Sequence, residues 1–199
     1  MTRWIPAAGV AIMLAVAQSA SAQGLDELRK LYDAGQYEQV VAASPGGEPR
    51  LMFVLAQSQQ KLGHRDQTLQ AYEQLAARAE GDPWRDVGRS ALALLASNPG
   101  EALEAANQAV ARGDSLAEAH LQKGLTLSTR NDMGGASAAF EKAAQLAPSW
   151  ADAHYYAGLA YSKIKRIDLM AAHFDTFLKL APQSPQRPAV QSIMRTLSR

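Results

Sequence analysis

The chain has 199 residues, with 20 Lys and Arg against 19 Asp and Glu, a formal net charge of +1, and no cysteine. Zero Cys excludes a disulfide framework, a thiolate metal site and a Cys nucleophile, so stability has to come from packing. Nucleic acid and anionic membranes both demand clustered Lys and Arg, which this balanced composition argues against.

Residues 1–22 read as a secretory leader. Arg3 gives a positive n-region, Ile5 to Ala17 is a short apolar run, and Ala20-Ser21-Ala22 supplies the small-x-small cleavage site. A membrane-spanning helix needs about 20 apolar residues. This run is shorter and contains Pro6, so a mature N-terminus at Gln23 and no stable membrane insertion after cleavage are expected. No Cys follows the apolar run, which excludes a lipoprotein anchor. Removal of Arg3 leaves 19 basic and 19 acidic residues. Export without disulfides suits a bacterial periplasm.

Residues 23–48 form a truncated leading helix pair that ends in a Pro/Gly joint, Ser44 to Pro49, the strongest breaker in the chain. From there the sequence repeats every 34 residues. Tyr72, Ala106, Phe140 and Phe174 fall at equal intervals, as do the small residues Ala56, Ser90, Gly124 and Gly158. Thr68, Ala102, Ala136 and Met170 make a third ladder, and Glu80, Asp114, Pro148 and Pro182 a weaker fourth. A fixed period of this size means a solenoid of stacked units, none of which can bury its apolar face alone.

The last unit reads His154, Ala157-Gly158, Tyr161, Met170, Phe174 and Pro182, and the one before it His120, Lys123-Gly124, Leu127, Ala136, Phe140 and Pro148. On these residues the chain resembles the tetratricopeptide repeat family, matching at the Gly, the second aromatic and the Pro. It departs at the His for the first aromatic, at Lys123 and at Met170. The resemblance implies an all-α fold, an α-solenoid with a right-handed superhelix of antiparallel helix pairs. The units run 49–82, 83–116, 117–150 and 151–184, followed by a capping helix over 185–199.

Local signals punctuate these units. Ser115 with Glu118 and Ser149 with Asp152 have capping-box spacing, and Asn98-Pro99-Gly100-Glu101 opens a second helix with Pro at its first position. Gly35, Gly63 and Asn131 suit a positive φ between paired helices. The strict period places Arg89 at a normally apolar position, and a one-residue deletion in the Ser97 to Pro99 turn is expected to correct it. From Pro188, residues Val190, Ile193, Met194 and Leu197 make the apolar stripe of an amphipathic end cap.

Catalytic signals are sparse. Ser58 and Lys61 match the Ser-x-x-Lys element of serine β-lactamases, but the Ser-Asp-Asn and Lys-Thr-Gly elements are absent. His120 and His154 occupy equivalent positions in neighbouring units, and packing is the expected role, since a metal needs three or four converging ligands. There is no phosphate loop, calcium loop or zinc motif, so no cofactor, no metal and no enzymatic activity are expected.

The family resemblance implies that the first helix of each pair lines a concave groove. Carried across by position, the partner-binding residues are Arg50, Phe53, Gln57, Trp84, Glu118, Leu121, Leu125, Asp152, Tyr155, Leu159, Ser162 and Lys163. Gln60, Lys61, Val87, Ala91, Ser128 and Thr129 fall at the same positions. The expected function is a non-enzymatic protein–protein interaction scaffold in the periplasm, binding a protein or peptide segment and no nucleic acid. The alternatives are a subunit of an obligate envelope-assembly, secretion or export complex, and a periplasmic enzyme with an atypical site.

Overall fold

The computed structural model describes residues 24–43 and 47–197. The leader and its cleavage point between Ala22 and Gln23 lie outside them. All regular structure among the described residues is helical. Helix α1 covers residues 24–33. It is followed by α2 (Tyr37–Ala43), α3 (Pro49–Lys61), α4 (Arg65–Ala76), α5 (Pro83–Leu95) and α6 (Pro99–Arg112). The chain continues with α7 (Ala117–Thr129), α8 (Met133–Leu146), α9 (Ala151–Lys163), α10 (Ile167–Leu180) and α11 (Arg187–Leu197). Each helix from α3 to α10 packs mainly on its neighbours in sequence, which makes an α-solenoid of helix pairs.

The first helices α3, α5, α7 and α9 begin at residues 49, 83, 117 and 151, and the second helices at 65, 99, 133 and 167. The period is therefore strict, and the deletion expected near Ser97 does not exist. Each turn between paired helices has one residue in the left-handed region: Gly63 (φ 76°), Ser97 (59°), Asn131 (63°) and Lys165 (61°). The following amide donates back to the carbonyl five residues earlier, as in His64 to Gln59 at 3.0 Å and Asn98 to Ala93 at 2.8 Å. That 6→1 bond defines the turn, so its length stays the same whichever residue bears the strain. Arg89 needs no shift either, because its guanidinium reaches Asp86 at 3.4 Å. Asp86 is fully buried and also accepts from Arg112 on α6, which fixes the helix pair by charge where an apolar contact was expected.

The expected capping boxes are not formed. α7 and α9 start after Leu116 and Trp150, with no side-chain cap bond, so Ser115 and Ser149 lie one residue too early. Burying a side chain such as Trp150, which is 2% exposed, yields more than the ~1 kcal/mol of a typical cap. Asn98 does cap α6, accepting from the Glu101 amide. Asp82 and Asp132 cap α5 and α8 at 3.0 and 2.9 Å.

The ladders of small and aromatic residues meet in the core. Phe140 and Phe174 on the second helices lie against Gly124 and Gly158 on the first, so closely that a Cβ at Gly158 would sit 2.5 Å from the Phe174 ring. A glycine is required there by the approach of the ring. Helix α11 seats Val190, fully buried, with Ile193 and Met194 against the last pair. At the other end Leu25, Leu28, Tyr32, Val40, Leu51 and Val54 form a separate cluster that ties α1 and α2 to α3.

Candidate functional site: a half-filled concave groove

The five register positions of the first helices that the family resemblance assigns to a concave face divide into two zones. The second and fifth positions, near the helix N-termini, close on one another. Phe53 is fully buried, with its ring 6.1 Å from Trp84 and 6.4 Å from Trp150, so the first unit touches the start of the last. Leu121 is fully buried as well, and Trp84 is 9% exposed.

Helix α1 completes this closure by lying across the groove. Its Arg29 guanidinium donates to Glu118 at 2.7 Å and covers the Trp150 ring at 4.6 Å. Arg50 adds a second cation 3.6 Å from Glu118. One turn on, the Tyr32 hydroxyl hydrogen-bonds Asp152. Burial pushes the Asp152 carboxyl up, with Lys61 and the Tyr32 hydrogen bond pulling it back. Neighbouring Asp33 rises to about 8, chiefly by burial and then by the charge of Asp152. Glu118 Oε2, Asp152 Oδ2 and Arg29 Nε are buried without hydrogen-bond partners, so the seam is packed but incompletely satisfied.

The ninth, twelfth and thirteenth positions, near the helix C-termini, leave a cavity between them. Gln57, Ala91, Leu125 and Leu159 are the ninth-position series, and together with Lys61, Leu94, Leu95, Ser128, Thr129 and Lys163 they line a cavity of about 660 Å³. Tyr32 of α1 forms one wall. Volumes of 300–1,000 Å³ are typical of ligand sites.

The twelve residues read as a groove therefore separate. Gln57, Leu125, Leu159 and Lys163 line the cavity. Phe53, Trp84, Glu118, Leu121 and Asp152 are buried in the closed zone, with Arg50 exposed at its edge. The Ser162 hydroxyl donates to the Leu159 carbonyl at 2.7 Å. Tyr155 packs its ring 5.3 Å from Tyr156 and 5.2 Å from Phe177. Position counting missed Gln122, Met133, Phe140 and Tyr156, which also line the cavity. Gln122 and Tyr156 share the sixth position of their units, a series that alternates with the fifth along the helix face and was legible only as packing.

The residues weighed for chemistry have other partners. Ser58 is buried and donates its hydroxyl to the Val54 carbonyl at 2.9 Å. His120 and His154 play the same part in their units: Nε2 of each contacts the carbonyl six residues earlier, at Asp114 (2.9 Å) and Pro148 (3.1 Å). The neighbour of His154 is His173, Nδ1 to Nδ1 at 3.1 Å. Since His154 Nε2 must donate to a carbonyl, its Nδ1 accepts in the neutral ring, and His173 Nδ1 is the donor. Burial lowers the pKa of all three histidines. Among the described residues, no group of three or more His, Asp or Glu is placed to hold a metal ion.

A family model of the tetratricopeptide repeat matches residues 117–149, the span of α7 and α8. No curated protein matches the chain. Among solved structures, the chain is similar to TTC0263, a thermophilic TPR protein of Thermus thermophilus, at 21% identity over 88% of this chain and 97% of that one, with a TM-score of 0.58. It is similar to YrrB, a TPR protein with an unusual peptide-binding site, at 16% identity over 85% and 90% of the two chains, with a TM-score of 0.53. MamA follows at 18% identity, 74% and 85% coverage, and a TM-score of 0.50. At such identities the likeness establishes the fold, a solenoid of tetratricopeptide-type helix pairs.

Proposed function

We propose that this chain is a non-enzymatic interaction scaffold of the bacterial periplasm, and that it holds a segment of a partner protein in the open half of its concave groove. The observation that carries the reading is the cavity itself, because all four helix pairs contribute their ninth- and thirteenth-position residues to its walls. The N-terminal halves of the same helices are filled instead, with Phe53, Val87 and Leu121 fully buried at the fifth position. Leu125 and Leu159 supply the apolar contact and Gln57 the amide that could pair with a partner's backbone. The periplasmic location rests on the leader of residues 1–22. Among the described residues no helix is long and apolar enough to cross a membrane.

The test is site-specific photocrosslinking in the envelope. A photoreactive residue at Leu125 or Leu159 should join discrete protein species, whereas one at Lys142 or Gln145 on the outer face of α8 should join none. Equal yields from both faces would remove the groove from the account.

A further inference from the structure

Charge along the groove is sorted by depth, and the sorting names the partner's chemistry. The four first helices contain three acidic residues, Asp86, Glu118 and Asp152. All three are buried. Asp86 is paired with Arg89 and Arg112, Glu118 with Arg29 and Arg50, and Asp152 is bonded by Tyr32. Each is thus consumed within the fold, and none reaches the open zone.

The open zone is cationic. No Asp or Glu lines the cavity, whereas Lys61 and Lys163, at the thirteenth position of the first and last units, do, and both are exposed. Among the described residues, neither ammonium has a carboxylate within ion-pair distance. Asp152 lies close enough to feel the Lys61 charge, and its burial favours the neutral carboxyl. Beyond Lys163 the exposed Ile164 and Ile167 extend the apolar surface around the last turn.

Building on the groove reading, we infer that the open half selects an acidic protein segment: an apolar side chain enters between Leu125 and Leu159, and flanking Asp or Glu side chains meet Lys61 and Lys163. The lining favours a polypeptide over an acyl chain. Gln57 and Gln60 each offer an amide donor and acceptor and Ser128 a hydroxyl, while the Gln122 amide already donates to Ser90 and the Thr129 hydroxyl to the Leu125 carbonyl. A peptide backbone uses such groups, and a hydrocarbon leaves them unpaired.

The test uses the mature chain and two pools of acetylated, amidated decapeptides with Leu and Phe at the same fixed positions. One pool has Asp and Glu at the remaining positions, the other Lys and Arg, and blocked termini remove any contribution from a terminal carboxylate. Fluorescence anisotropy should show the acidic pool binding at least tenfold tighter, with the preference fading as salt rises. Lys61→Glu with Lys163→Glu, both at exposed helix ends, should reverse the preference, with circular dichroism checking that the variant keeps its helical fold. Equal binding of the two pools overturns the inference, as does an acidic preference that survives the double charge reversal. Leu125→Glu separates the two levels of the argument. If it abolishes binding of both pools while charge makes no difference, the groove stands and its selectivity is wrong; if it leaves binding intact, the groove itself is wrong.

Discussion

Glu118 is where the closure of the solenoid can be broken with one substitution. Its carboxylate is 2% exposed and holds Arg29 at 2.7 Å, while Arg29 is 14% exposed. Glu118→Ala strands that guanidinium inside the seam, and removing one partner of a buried pair typically costs about 3–5 kcal/mol. The lower figure applies, because Arg29 keeps the Trp150 ring and Glu118 leaves one of its own oxygens unpaired. Arg29→Ala should cost less, about 2 kcal/mol, since Arg50 remains 3.6 Å from Glu118. Replacing both residues together, Arg29→Met with Glu118→Leu, should recover most of the loss, because buried pairs exchange for apolar residues at little cost. Urea unfolding followed by circular dichroism measures all four proteins, and hydrogen exchange on residues 24–33 reports whether α1 has left the groove. A Glu118→Ala protein as stable as its parent, or a double variant worse than both single ones, would refute a seam closed by this pair.

Three further outcomes follow from local geometry. Gly88→Ala should destabilise by about 1–3 kcal/mol in thermal melts, because its new Cβ would lie 2.6 Å from the Ala76 amide nitrogen and 2.7 Å from the Tyr72 carbonyl, rigid backbone that cannot move aside. Lys165→Gly should stabilise the last pair by up to about 1 kcal/mol, by relieving a left-handed backbone that costs most residues ~1–2 kcal/mol; a lower melting point would show that the lysine side chain holds the turn. His154 and His173 have lowered pKa values, through burial first, with His173 further lowering His154 and Glu141 opposing the shift at His173. The folded state therefore binds fewer protons than the unfolded one, so stability is fully present above the unfolded value near 6.5 and is lost as pH falls through the folded values. Proton NMR should find both titrations below that value, and His173→Phe should flatten the acid limb of a stability profile; midpoints at or above 6.5 would contradict the pairing.

The fold was legible because repetition is a long-range signal: the small residues at 124 and 158 and the rings at 140 and 174 predict one another, and the structure puts them in contact. Short motifs were less secure. Ser115 and Ser149 have capping spacing, yet the helices begin one residue later, where Leu116 and Trp150 gain more by burial than a hydroxyl gains by capping. Arg89 looked like an error in the register because a position count knows nothing of Asp86 and Arg112, which make a charged pair workable there. The site was half legible. Position counting reached the ninth-position residues and Lys61, Thr129 and Lys163 but not Leu94 or Leu95, and it could not reveal that Phe53 comes within 6.4 Å of Trp150, or that α1 supplies Arg29 to a glutamate 89 residues away. Contacts across a superhelix depend on the sum of small rotations between units, and no single repeat encodes them.

The central claim, a groove closed at its second and fifth positions and open at its ninth to thirteenth, is tested most directly by hydrogen exchange on the mature protein with and without a captured acidic peptide. The account predicts new protection confined to residues 57–61, 91–95, 122–129 and 156–163, with α1 unchanged. Protection confined to the second helices α4, α6, α8 and α10, or deprotection of α1 on binding, would contradict it.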